Sequence, residues 1–145
     1  MKIFKFFLPL PLFCLIFSFT NPPLSRLKLS ADEAEKIVGV WFTDDKTSKI
    51  RIYKIDNEYF GKIIWLSSKE NEEELKIRPK IGYQIFKKFI FEGKNVWSGG
   101  QVSDPRSGMT VSGKMTLKNE NTLNVRGYLG TPVFGKTVVL VRVEQ

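Results

Sequence analysis

The sequence predicts an all-β domain: an eight-stranded antiparallel up-and-down barrel with a short N-terminal helix. Three observations carry this prediction. From Gly39 to Val143 apolar and polar residues alternate with a period of two, the pattern of strands with one buried face. The alternating runs are separated by short turn-forming clusters, so each strand runs antiparallel to the one before it. Eight such strands in chain order close most simply on themselves, because closure removes the exposed edges of an open sheet.

Ahead of the sheet, Met1–Thr20 carries Lys2 and Lys5, then an uncharged run from Phe6 to Phe19, then polar Thr20-Asn21. A basic start before a short apolar stretch is the pattern of a secretory signal peptide, and Pro9 and Pro11 spoil a spanning helix. Ser18 and Thr20 suit cleavage after Thr20, so the protein is expected to be exported, to the periplasm or beyond, with no transmembrane span in the mature chain. Cys14 raises the alternative of a lipid anchor, but Phe13 is bulkier than the small residue expected there, which argues against a lipoprotein.

Residues 21–29 (NPPLSRLKL) read as a linker, and residues 30–145 as the barrel domain. Ser30-Ala31-Asp32-Glu33 has the form of a capping box, with Glu33 three residues after the cap. Ala34, Ile37 and Val38 then give one apolar stripe, which predicts a helix to Val38 ended by Gly39.

The expected strands are 39–43, 49–55, 58–66, 81–91, 95–103, 109–117, 122–129 and 136–143. Their separators include Asp44-Asp45-Lys46, Asp56-Asn57, Glu92-Gly93-Lys94, Lys118-Asn119-Glu120-Asn121 and Gly130-Thr131-Pro132. One connection is long, Ser67–Lys80, with Glu70, Glu72, Glu73 and Glu74 followed by Lys76, Arg78 and Lys80. Alternation places Tyr59, Gly61, Ile63 and Trp65 on one face and Lys62 on the other. It likewise groups Met109, Val111, Gly113, Met115 and Leu117, and groups Leu123, Val125, Gly127 and Leu129 against Arg126 and Tyr128. The apolar set is expected inside.

Composition narrows the chemistry. Removing residues 1–20 takes away six of the 12 Phe, the single Cys and two Lys, lowering the formal net charge from +8 to +6 with no His in the chain. Without Cys or His there is no disulfide, thiol nucleophile, imidazole base, or usual zinc or copper site. The core must hold the domain alone, and roughly 115 residues bury about two thirds of their surface. No cofactor is implied and no catalytic residue is assigned. The positive charge favours an anionic envelope surface as partner, while the lack of any recognised nucleic-acid module argues against nucleic acid.

Four features are candidate sites. Trp41, Trp65 and Trp97, with Tyr59 and Tyr83, are the large aromatics expected to share one interior, where they would line or close a cavity for a small apolar or amphipathic ligand. Arg78 and Arg126 are candidates for the headgroup of such a ligand. Asp104-Pro105 with Gly108 reads first as a turn: the carboxylate accepts backbone amides ahead of it and Pro105 fixes φ. Gly39 and Trp41 on the first strand and Arg142 on the last become neighbours if the barrel closes, and a guanidinium over the indole would contribute roughly 0.5–2 kcal/mol while plugging one end. Gly61, Gly99, Gly113 and Gly127 fall on the aromatic faces, where they either leave room for a ligand or let strands bend.

The Gly-x-Trp at the start and the Arg at the end resemble the lipocalin signature. Ordered anchors resemble the bacterial family called "domain of unknown function 2147". They are Ile37–Trp41, Gly61–Trp65, Arg78-Pro79 with Gly82, Trp97–Gly100, Asp104-Pro105 with Gly108, Arg126–Gly130, and Phe134–Lys136 with Arg142. The resemblance implies an exported lipocalin-like β-barrel with no established reaction. The chain departs from it where the family usually has aromatics: Ser103 stands before the Asp-Pro, Val111 after the Gly, and Leu140 two residues before Arg142. Tyr128 stands where many members have a cysteine. The leading expectation is an envelope barrel that binds a small molecule. Its rival is a non-enzymatic interaction protein with a filled core and a basic outer face. An enzyme ranks third, since the best general base is missing.

Overall fold

The structure, a computed structural model, describes residues 21–67 and 81–144. The expected leader, the Glu70–Glu74 run and Arg78 lie outside the described residues. Helix α1 (Leu24–Ala34) leads through a 3-10 turn, Glu35–Ile37, into eight strands. These are β1 (Gly39–Thr43), β2 (Ser48–Ile55), β3 (Glu58–Leu66), β4 (Gln84–Gly93), β5 (Val96–Ser103), β6 (Thr110–Asn119), β7 (Thr122–Tyr128) and β8 (Gly135–Arg142). They form a closed antiparallel barrel in chain order, and β8 pairs with β1 through Trp41↔Arg142, Phe42↔Val141 and Thr43↔Leu140.

Some boundaries differ from expectation. Helix α1 begins six residues before Ser30, inside the stretch read as linker, with Pro23 rather than Ser30 at the cap and no side-chain cap bond. No Gly or Pro interrupts the run from Leu24 to Ala34, and Leu24, Arg26, Leu27, Lys28 and Leu29 favour helix ahead of Ser30, so the capping box lies inside the helix. Strand β4 starts at Gln84 rather than Ile81, because Gly82 turns the chain with φ +96 and donates to the Ile63 carbonyl at 2.7 Å. It continues to Gly93, where Lys94 and Asn95, both with positive φ, make a tight two-residue hairpin.

Three irregularities re-aim side chains. Opposite the Lys49–Ile50 step, Ile50 pairs with Ile63 but Lys49 pairs with Trp65, so Ile64 is an extra residue and the alternation of β3 reverses beyond it. Trp65, expected inside, is therefore 39% exposed on the outer face, and Leu66 packs against the core instead. In β5 a shift between Trp97 and Gly100 leaves Gly99 outside at φ +73 and turns Gly100 inward. In β4, Lys88 at φ +58 lets Phe86 and Phe89 both point into the barrel. Met109 and Leu129, also expected inside, fall in the connections after β5 and β7 and are exposed.

The interior glycines make room for rings. A Cβ on Gly100 would lie 2.4 Å from the Phe89 ring and 2.7 Å from the Lys87 carbonyl oxygen; one on Gly113 would lie 2.6 Å from Phe89. Gly61 stands in the same relation to Phe86, at 2.4 Å. Phe89 is fully buried and meets Phe86 edge to face at 6.2 Å.

Candidate functional site

The two ends of the barrel are built differently. At the end bearing the β2–β3, β4–β5 and β6–β7 turns, Trp41 is fully buried and its indole Nε1 donates to the Ile37 carbonyl at 2.9 Å. The Arg142 guanidinium carbon lies 4.2 Å from the centre of the Trp41 ring. Its nitrogens donate to the carbonyls of Glu120 (2.6 Å), Val38 (3.4 Å) and Lys36. Gly39 permits this: its φ is +141, and a Cβ there would sit 3.0 Å from Arg142 Nη1. Burial draws the guanidinium below its ordinary pKa, partly offset by Glu120.

Beside this seal Trp97 is fully buried, donates to the Ala34 carbonyl at 3.2 Å and meets Phe91 at 4.9 Å and Tyr59 at 6.3 Å. The helical segment covers the same end, with Ala34 and Ile37 buried, Glu33 accepting the Asn95 amide at 3.2 Å, and Glu35 paired with Lys54 at 3.0 Å. Tyr59 is buried with no partner for its hydroxyl, and burial raises its pKa.

Among the described residues, the opposite end is open. Between the β1–β2, β5–β6 and β7–β8 connections lies a cup of about 970 Å³. Ile50, Ile63, Ile85, Phe86, Val102, Val111, Val125, Val138 and Leu140 line it among others. Phe86 joins the halves, since it lines the cup and touches Phe89 in the filled part. Its rim carries Asp44, Asp45, Asp104, Arg106 and Lys136. The three carboxylates are committed to their own turns. Asp45 accepts from Thr43 Oγ1 (2.6 Å), Thr47 Oγ1 (2.8 Å) and the Thr47 amide (3.0 Å), while Asp44 accepts the Asp45 amide at 2.9 Å. Asp104 accepts the Arg106 amide (2.8 Å) and Ser107 Oγ (3.0 Å), and Gly108 closes that turn at φ +71. The Thr43 hydroxyl, then the Thr47 groups and Arg106, hold the Asp45 carboxyl below its usual pKa against a burial that raises it.

Of the residues singled out as ligand contacts, those that the structure describes do not meet at the cup. Trp41, Tyr59 and Trp97 fill the sealed half, Tyr83 packs against the core, and Trp65 is outside, so none of these lines the cavity. Arg126 also points outward, where it clamps the β7–β8 connection by donating to Pro132 O, Val133 O (3.2 Å) and Thr137 Oγ1 (2.9 Å). The aliphatic wall and the inward-facing Lys136 were the features that sequence reasoning missed. Among the described residues no group of three or more His, Cys, Asp or Glu could hold a metal, and no helix is long and apolar enough to cross a membrane.

A family described as an uncharacterized protein conserved in bacteria, DUF2147, matches residues 39–142, from the first residue of β1 to the last of β8. The chain belongs to this family. The match takes in both partners of the seal, Trp41 and Arg142. Protein HP1028 from Helicobacter pylori, described as belonging to the lipocalin family, shares the fold with a TM-score of 0.62. The identity is 15%, over 75% of this chain and 84% of that one. A redesigned β-barrel matches with a TM-score of 0.47 at 18% identity, over 77% of this chain and 96% of its own. A comparison with curated proteins finds no match. The DUF2147 chain is thus a lipocalin-like barrel.

Proposed function

We propose that this protein is a non-enzymatic binding barrel of the bacterial envelope, holding a small apolar or amphipathic molecule in its open cup. The observation that carries this reading is the cup itself: about 970 Å³, its buried lining chiefly aliphatic and stopped below by Phe86. That volume falls within the range of roughly 300–1,000 Å³ seen for small-molecule sites. Apolar surface removed from water in such a site contributes about 25 cal/mol per Å². The basic start and apolar run of residues 2–19 support export. The rim carboxylates are occupied as turn acceptors, which argues for binding rather than acid–base chemistry. The rival reading, a barrel filled throughout and acting through a basic outer face, is weakened by the size of the cup.

Binding is tested with N-phenyl-1-naphthylamine, a neutral probe whose emission rises in apolar surroundings. The native tryptophans are poor reporters here, since Trp41 and Trp97 lie in the sealed half and Trp65 lies outside. Val111 is half-buried and faces the cup. Val111→Trp would fill part of the cavity and is expected to weaken probe binding by more than roughly tenfold, while stability changes little because the ring enters open space. Absence of probe binding to the wild type, or unaltered binding by Val111→Trp, would overturn the cup as the site.

A further inference from the structure

We propose that the cup selects single-chain amphiphiles with a singly charged carboxylate head, and that Lys136 is the headgroup anchor. This rests on the binding-barrel reading above and adds the chemistry of the ligand. The register of β7 and β8 pairs Gly127 with Lys136, Val125 with Val138 and Leu123 with Leu140. Residues directly opposite in an antiparallel pair share a face. Val125 and Leu140 are buried lining residues, so Lys136 belongs to the inward row and stands on it nearest the mouth.

Its surroundings leave the ammonium available. Opposite it stands Gly127, which has no side chain to occupy the space, and whose Cβ position already lies 3.0 Å from Val111 Cγ2. Among the described residues no carboxylate lies within ion-pair distance of Lys136. Arg106, the other cation on the lining, is within electrostatic reach of Asp45. An alkyl chain buried against the aliphatic wall would therefore bring its polar end to a cation that has no carboxylate partner among the described residues.

The same rim also discriminates by charge number. Asp44, Asp45 and Asp104 stand around the mouth as carboxylates held by their turns. One ammonium compensates one negative charge, and a dianionic phosphate would keep an excess charge among these three carboxylates. A neutral head would leave Lys136 unpaired.

The test compares ligands of equal chain length: dodecanoate, 1-dodecanol and dodecyl phosphate, each displacing N-phenyl-1-naphthylamine from the purified protein at neutral pH. Dodecanoate is expected to bind roughly tenfold tighter than the alcohol, the effect of one charge-assisted hydrogen bond at a rim. It should also bind more tightly than the phosphate. Lys136→Met is expected to lower dodecanoate affinity to that of dodecanol and leave the alcohol unchanged, whereas Lys136→Arg should keep the preference. Unchanged affinity for the alcohol also shows that the variant is folded. If acid and alcohol bind equally, if the phosphate binds tightest, or if Lys136→Met keeps the acid preference, the anchor is wrong while the cup stands. If none of the three displaces the probe, the binding-barrel reading itself fails.

Discussion

Phe89→Ala is expected to lower the stability of the protein by about 3–5 kcal/mol, toward the upper end of large-to-small core substitutions. The reason is the company the ring keeps. Phe89 is fully buried between strands whose facing residues, Gly100 and Gly113, have no side chains to move into the space it leaves. On the other side Phe86 already packs against Gly61. A site with so little material able to collapse keeps most of its cavity, and the cost of such substitutions rises with the cavity that remains. Urea denaturation of the wild type and the variant measures the difference. A loss under about 1 kcal/mol would mean that the ring is not the centre of the filled half.

Arg142→Ala is expected to be the most damaging substitution outside the hydrophobic core, at about 2–3 kcal/mol. It removes the guanidinium from the face of Trp41 and takes away the donors that serve the carbonyls of Glu120, Val38 and Lys36. Because those carbonyls belong to the β6–β7 turn and to the segment just before β1, the side chain ties three parts of the chain together where the ring of strands shuts. Lys at this position keeps a positive charge over the indole but loses the planar fork that reaches several acceptors, so Arg142→Lys should recover only part of the loss. Probe binding in the cup should be unchanged in both variants under conditions where they are folded, since the seal lies at the other end. Urea midpoints together with probe titrations check both statements, and equal stability of Arg142→Ala and wild type would contradict the assigned role.

The ring of eight strands was legible from the alternation together with the turn clusters, because short apolar–polar runs so joined leave few alternatives to sequential antiparallel pairing. The neighbours Trp41 and Arg142 followed from closure, with Gly39 beside them. Less visible was where alternation breaks. Bulges at Ile64, at Lys88 and at Gly99 reverse or shift the inward face without any residue type that announces them in the first two cases. Trp65 therefore lies outside where simple alternation predicts it inside, and Phe86 and Phe89 enter the barrel with no sign of it in the pattern.

The position of the cavity was hidden for a related reason. Large aromatics suggest a ligand site, yet here Trp41, Tyr59 and Trp97 are the filling, and the space lies at the other end, where its buried lining is chiefly aliphatic. One clue was present: Ser103, Val111 and Leu140, the positions at which the resemblance to the family implies aromatics, all line the cup. Lys136 could have been found by extending the inward row of β8 from Arg142 through Leu140 and Val138. At sequence level both faces of that strand were mixed, so the row had no visible sign.

The most direct test of this account is a methyl and indole NMR titration of the protein with dodecanoate. It predicts that the methyl resonances of Val102, Val111, Val125 and Leu140 move with added ligand, while the indole N–H resonances of Trp41 and Trp97 stay in place. Movement of those two indoles with the four methyl groups unaffected would put the ligand among the aromatics and contradict it.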